Sequence, residues 1–297
     1  MKILLFGKNG QLGWELQRTL ATLGDVVAVD VTDLDLNQPS AVEGFLRSQK
    51  PALVVNASAY TAVDRAEEER AAAFAINCTA PGIMASEAKR LGAAFIHFST
   101  DYVFDGTKNQ PYVETDAPNP LNVYGESKRA GEEAIQSSAA AYLIFRTAWV
   151  YSMRGETFVN KTLRWARQNP FLRVVDDQVS NPTWARMLAE VIAQLIIMGK
   201  NNLSEWVEQR RGIYHLAGEG YATRFAWAQE MLKNLPPNYP LVASNIHAAK
   251  TAEFPTPAQR PLFSALETGH FQRTFGLCLP DWRLALRLAM QDGSLGV

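Results

Sequence analysis

The sequence predicts an α/β protein: a doubly wound parallel sheet followed by a smaller C-terminal α/β lobe. Three observations carry this reading. Short apolar runs at 3–6, 26–29, 53–55, 95–98 and 143–145 alternate with longer amphipathic stretches, the pattern of parallel strands joined by helices on both faces. The first run leads directly into a turn with glycines three apart and then a helical pattern. After Tyr151 the alternation weakens, and Pro236, Pro237, Pro240, Pro255, Pro257 and Pro261 break a long stretch into expected loops. For 297 residues, a first domain over 1–150, completed by about 175–200, and a lobe over 151–297 match the usual ~100–200 residues per domain.

Taken in order, the turn after the first strand is Gly7-Lys8-Asn9-Gly10-Gln11-Leu12-Gly13, followed by Trp14-Glu15-Leu16-Gln17 in helical pattern. Glycine allows a tight turn and close backbone approach, while the free N–H groups and dipole of the helix start attract a phosphate. The spacing is not that of G-x-G-x-x-G, and it lacks the Gly-Lys-Ser/Thr ending of a nucleotide-hydrolysing loop. Asp30 closes the second strand, where an acid takes the adenosine ribose hydroxyls. A carboxylate there favours NAD and would repel a 2′-phosphate, although Lys8 is near enough in sequence to approach one. The expected cofactor is therefore NADH or NADPH. The stretch 66–91 is rich in Ala and Glu, with Pro81 dividing it or starting a new helix. Residues 105–120 form an expected long surface loop. Beyond it, helices are expected at 158–168, 183–198 and 224–235, a strand at 213–216, and a last amphipathic run at 282–290. The apolar run at 192–198 is far below the ~20 residues of a membrane span and reads as a buried helix end.

Composition excludes several classes. Net charge is −1 with no basic block, so neither nucleic acid nor a membrane surface is an expected partner. The two cysteines, Cys78 and Cys278, are far apart, and the first residues make no signal peptide. A cytoplasmic protein with free thiols is expected. His97, His215, His247 and His270 are dispersed, none paired at metal-ligand spacing.

The chemistry is read from Tyr124 and Lys128, one helical turn apart and so on one helix face. A cation beside a phenol favours the phenolate and makes the hydroxyl able to exchange a proton near neutrality. Thr100 ends the fourth strand in His97-Phe98-Ser99-Thr100-Asp101, and in an open parallel sheet ligands bind outside the carboxyl ends of the strands. Thr100 would orient a substrate oxygen to which Tyr124 donates, with Lys128 holding the cofactor ribose. Carbonyl reduction or alcohol oxidation follows.

These motifs together resemble the extended short-chain dehydrogenase/reductases, a Rossmann-type fold, and among them the dTDP-4-dehydrorhamnose reductase family. The resemblance is carried by residues 4–13, 55–64, 99–106, 120–128 and 145–151, and by Gln178-Val179-Ser180-Asn181-Pro182-Thr183, Arg260-Pro261, 275–277 and 279–282. It implies NAD(P)H-dependent reduction of the C4 ketone of dTDP-4-dehydro-L-rhamnose to dTDP-L-rhamnose, with a dTDP-sugar as the partner and a homodimer left open. It also implies that Gly7, Gly10, Gln11, Leu12 and Gly13 line the pyrophosphate, and Asp35 and Leu36 border the adenine. Ala59, Tyr60 and Thr61 would follow the pyrophosphate and ribose path, while Thr100, Asp101 and Trp149 would face the sugar. The chain departs from the family pattern at Ser58, where an alanine is common, at Tyr60, where a histidine is common, and at Phe263, where an asparagine is expected. Some relatives are described with magnesium held by acids at a dimer interface. Glu15 fits that role, but Arg186 stands where a second acid would be needed, so no metal is expected.

Rival readings stay open at this point. A serine hydrolase is set aside because Gly125-Glu126-Ser127 continues into Arg129 where a nucleophile elbow needs glycine. A dehydratase would want Glu where Tyr102 stands. Another sugar-nucleotide short-chain reductase or epimerase, and a non-catalytic dinucleotide-binding regulatory subunit of methionine adenosyltransferase, share the local motifs.

Overall fold

Alternation within the first strand decides the layering. In β1 (Lys2–Phe6), Ile3 and Leu5 turn to one side and Leu4 and Phe6 to the other, and all four are buried. A strand buried on both faces needs a helical layer on each. The computed structural model, which describes residues 1–292, supplies both. Four more strands, β2 (Asp25–Val29), β3 (Leu53–Asn56), β4 (Ala94–Thr100) and β5 (Ala141–Thr147), join β1 and the strand Gly212–His215 in one parallel sheet. Its order is Gly212–His215, β5, β4, β3, β1, β2. This is a Rossmann-type doubly wound sheet. The winding reverses between β1 and β3, which opens a crevice at the carboxyl ends of those strands.

Helix α1 (Gln11–Ala21) and the helices Ala185–Met198, Leu203–Glu208 and Gly269–Phe275 cover one face, through Leu16, Ile192, Leu195, Val207 and Phe271 among others. Helix α2 (Pro39–Gln49), the helix Ala80–Leu91 and the Tyr124 helix (Val123–Ser137) cover the other, through Val42, Leu46, Met84, Ala88 and Ile135. Beyond β5, a further core gathers Trp227, Trp282, Tyr151, Leu163, Met231 and Leu286, from the helices Phe158–Gln168, Arg224–Lys233 and Trp282–Asp292 and their connections.

Pro81 falls in the first turn of Ala80–Leu91, and one wide π turn, Ala75–Thr79, joins that helix to Arg70–Phe74. Proline has no N–H to donate backward, so the break sits one turn before it. Residues 105–120 form a long loop, tied to the lobe by the bridge from Tyr112 to Leu266. Two expectations need correction. In the run at 192–198, Ile192, Leu195 and Ile196 are buried, but Gln194 is exposed and Ile197 and Met198 are 47% and 50% exposed at the end of their helix. Within the proline-rich stretch expected to be loops lies the strand Asn245–Ala249, paired in parallel with Phe171–Val175. Downstream, the helix Gly269–Phe275 packs on the main sheet. Among the described residues no helix is long and apolar enough to cross a membrane.

Candidate active site

The crevice holds a cradle built from the glycine turn. The Gly10 N–H donates to the Gly7 carbonyl at 3.1 Å, closing the turn, and a Cβ on Gly13 would lie 1.9 Å from that same oxygen. Only glycine lets α1 start so close to the turn. No side chain caps that helix start, so its first N–H groups remain for a ligand anion. Leu12 is buried beneath it and anchors α1 to the sheet, and Gln11 opens the helix. Asp30 accepts the Asn9 N–H at 2.9 Å and the Val31 N–H at 2.8 Å, so one carboxylate braces the turn and ends β2. A cavity of about 210 Å³ adjoins it, lined by Gly7, Asp30, Leu34, Asp35, Leu36, Ser58 and Ala59. Apolar walls beside carboxylates suit an adenine with its ribose. Lys8 is held by Asp33 at 2.8 Å. Asp35 accepts from the Asn37 N–H and amide, both at 2.9 Å, and these bonds hold its carboxyl below the usual range. Tyr60 donates its phenol to Glu69 at 2.5 Å, and Thr61 is exposed beyond it.

Thr100 stands at the carboxyl end of β4, and the helix carrying Tyr124 and Lys128 packs directly over it. Asn122 caps that helix by accepting the Gly125 N–H at 2.8 Å. A Cβ on Gly125 would lie 2.2 Å from the Tyr102 carbonyl oxygen, so glycine sets how near Tyr124 comes to the turn after β4. Farther along, Glu132 receives both Arg146 Nε and Nη2, at 2.9 and 2.7 Å. This buried bidentate pair fastens the helix to β5. The Thr100 hydroxyl donates to Asp101 at 3.1 Å, accepts the Tyr102 N–H at 3.1 Å and lies beside the Tyr124 phenol. Lys128 donates from Nζ to the Phe98 carbonyl at 2.6 Å and lies 3.1 Å from His97 Nε2.

Here the protonation differs from the expectation that Lys128 depresses the phenol. Burial pushes the Tyr124 phenol up, with the neighbouring Thr100 hydroxyl opposing it, while burial lowers the Lys128 ammonium to about 8. Desolvation is the largest influence on both because both groups are enclosed. His97, with no role in the sequence reading, lies fully buried against Lys128.

Asp101 is buried and accepts hydroxyls from Thr100, Ser180 at 2.9 Å and Ser264 at 2.5 Å; burial raises its carboxyl and these donors oppose the rise. It therefore stitches the end of β4 to two lobe segments. Trp149 is half-buried with a φ of 40°, a left-handed conformation that an indole-bearing residue adopts only under constraint. It stacks on Trp227 with ring centroids 5.6 Å apart, and the Arg224 guanidinium lies 3.7 Å from its ring centroid. Burial lowers the Arg224 guanidinium to about 10, with the nearby Tyr102 and Asp101 opposing the fall. Arg260, on the same side of Tyr102, is held by Asp64 through two 2.7 Å bonds.

Sequence reasoning missed Arg224, Asn56, His97 and Asn77. Asn77 accepts the Tyr60 N–H at 2.8 Å and donates to the Tyr60 carbonyl at 3.1 Å and to Ser127 at 3.0 Å. The legible signal was polarity inside apolar runs, as at Asn56 and His97. Nothing local marked Arg224. Glu15 pairs with Arg186 at 3.4 Å, and among the described residues no three His, Cys, Asp or Glu side chains group as a metal site.

Comparison with known proteins identifies the family. The family model described as RmlD substrate binding domain matches residues 1–294. A dTDP-4-dehydrorhamnose reductase of Escherichia coli K12 is 44% identical over 297 residues, covering 98% of each chain. One of Burkholderia thailandensis is 41% identical over 295 residues, covering 98% of this chain and 99% of the relative. Among solved structures, a dTDP-4-dehydrorhamnose reductase of Clostridium acetobutylicum aligns with a TM-score of 0.89 at 35% identity, over 98% of this chain and 99% of that one. A Bacillus anthracis dTDP-4-dehydrorhamnose reductase in complex with NADP aligns with a TM-score of 0.89 at 30% identity, with the same coverage. On these grounds the chain belongs to the RmlD substrate binding domain family.

Proposed function

We propose that this protein reduces the C4 ketone of dTDP-4-dehydro-L-rhamnose to the alcohol of dTDP-L-rhamnose, using NADH or NADPH. The observation that carries the reading is the Tyr124 phenol beside the Thr100 hydroxyl at the carboxyl end of β4, near the glycine cradle and one helical turn from Lys128. When bound, the dinucleotide supplies hydride. Gly7, Gly10, Gln11, Leu12 and Gly13 would hold its pyrophosphate, Asp30 a ribose, Asp35 and Leu36 the adenine, and Ala59, Tyr60 and Thr61 the path between. Tyr124 gives its proton to the C4 oxygen as negative charge grows there; a phenol kept protonated by burial is suited to that step. Thr100 orients the same oxygen, and Lys128 binds the nicotinamide ribose.

Asp101 and Trp149 would face the sugar, with Asp101 acting through the hydroxyls it gathers. Arg224, stacked on Trp149, places a cation where the substrate diphosphate would cross toward the lobe. The names of the relatives support the sugar nucleotide as substrate. Incubation of the purified protein with dTDP-4-dehydro-L-rhamnose and either nicotinamide cofactor should yield dTDP-L-rhamnose. Recovery of unchanged ketone with both cofactors overturns the reading.

A further inference from the structure

A chain of polar side chains runs from the dinucleotide cavity to Lys128. Ser58 lines the cavity; it donates its N–H to Asn56 Oδ1 at 3.1 Å and its hydroxyl to the same atom at 2.5 Å. Those two donors orient the amide, because a backbone N–H facing the NH2 end would go unanswered. Asn56 Nδ2 therefore faces His97 Nδ1, at 3.1 Å. An amide NH2 offers no lone pair to a proton donor, so Nδ1 accepts. A neutral imidazole has one N–H, which then sits on Nε2, and Nε2 is 3.1 Å from Lys128 Nζ. Two donors cannot share that contact. Nζ must accept, which requires an amine with a lone pair, its own hydrogen going to the Phe98 carbonyl at 2.6 Å.

Asn56, His97 and Lys128 are each no more than 1% exposed, so water does not relieve the conflict an ammonium would meet there. Burial lowers both His97 and Lys128 from their ordinary values, in agreement with a neutral pair. The other groups facing Lys128 leave this polarity in place. From its own helix come Tyr124, protonated, and Glu132, whose carboxylate is taken by Arg146 of β5. Asp101 and Tyr102, from the turn after β4, act on the Tyr124 phenol.

We propose that Ser58, Asn56 and His97 form a relay that holds Lys128 as a neutral amine in the dinucleotide-free protein and charges it when the dinucleotide binds. Binding gives the Ser58 N–H a second acceptor and releases the Asn56 amide, which turns over so that Oδ1 faces His97. The Nε2 proton passes to Nζ, and one proton from the buffer acid, entering from the cavity side as the Asn56 amide turns, replaces it on Nδ1, where Oδ1 now accepts it. One proton is taken up, and only N–H bonds are made or broken. The cation beside Tyr124 thus forms when the hydride donor is in place, and Ser58, Asn56 and His97 act as positioning residues through Lys128.

The proposal rests on the dinucleotide-dependent reading above, and calorimetry separates the two. NADH is titrated into the whole protein at pH ~9, between the lowered Lys128 value and that of an ordinary lysine, in buffers of different ionisation enthalpy. Close to one proton taken up per NADH supports the relay, and heat that is the same in every buffer overturns it. No binding heat in any buffer sinks the dinucleotide reading itself. Asn56→Asp, which offers His97 an acceptor from the start, should bind NADH without proton uptake; undiminished uptake in that variant also overturns the relay. Nitrogen-15 NMR of His97 in the wild-type protein needs no variant. An Nε2–H tautomer in the free protein is expected, and an Nδ1–H tautomer there contradicts the proposal.

Discussion

Lys128 Nζ lies 2.6 Å from the carbonyl oxygen of Phe98, in a space closed by the Tyr124 helix on one side and β4 on the other. That enclosure gives stability a pH dependence. The folded Lys128 value is about 8 and the unfolded value is near ~10.4, so between them the unfolded chain binds the extra proton. Stability attributable to this residue therefore rises with pH across that window. Urea midpoints of wild type and Lys128→Met, measured from pH ~7 to ~10, should show the wild type gaining relative to the variant as pH increases. A constant difference between the two would show that Lys128 keeps its solution value.

Tyr124→Phe retains the ring packed edge-on against Tyr102, 5.7 Å between centroids, and removes the proton. Turnover is expected to fall by about 10²–10⁴, the usual contribution of a positioned acid, while NADH binding changes little. An unchanged rate would take Tyr124 out of the reaction. Thr100→Val, which keeps the shape and loses the hydroxyl, should lower turnover less, since the phenol itself remains.

The sheet and the proposed trio of Thr100, Tyr124 and Lys128 were legible in the sequence because their signals are local. Runs of apolar residues, glycines three apart and a Tyr and Lys one turn apart need no knowledge of distant chain. The strand Asn245–Ala249 was not legible, because what makes it a strand is the ladder with Phe171–Val175. Its own residues are mostly exposed and sit among prolines. Arg224 was hidden for a similar reason: its meaning comes from Trp149, 75 positions earlier, whose ring it meets only after the lobe folds back. His97 was visible but given no role. A histidine inside an apolar run is silent until its partner, Lys128, 31 positions away, is placed against it.

Arg224 offers the second site test. Arg224→Lys keeps the charge but loses the planar contact with Trp149, and Arg224→Ala loses both. KM for the dTDP-sugar should rise in both variants, more in the alanine variant, by about tenfold or more if a charge-assisted bond worth ~1.5–3 kcal/mol is lost. NADH affinity should stay as it was. A fall in NADH affinity with KM for the sugar unchanged would move Arg224 to the cofactor side.

Cofactor choice is expected to turn on the Lys8–Asp33 pair, 2.8 Å apart. While Asp33 holds Lys8, no cation there is available to a 2′-phosphate. Asp33→Asn releases it, so the ratio of kcat/KM for NADPH to that for NADH should increase several-fold. Salt should weaken the gain, because the site is solvated. An unaltered ratio would show that Lys8 does not reach the phosphate.

The most direct test follows the hydride. The protein is allowed to consume dTDP-4-dehydro-L-rhamnose with nicotinamide cofactor deuterated at its transferable position, and the product is examined by NMR. The account predicts dTDP-L-rhamnose with deuterium at C4, formed at a rate that collapses in Tyr124→Phe. Oxidation of the cofactor without deuterium at C4, or no oxidation with either NADH or NADPH, would contradict it.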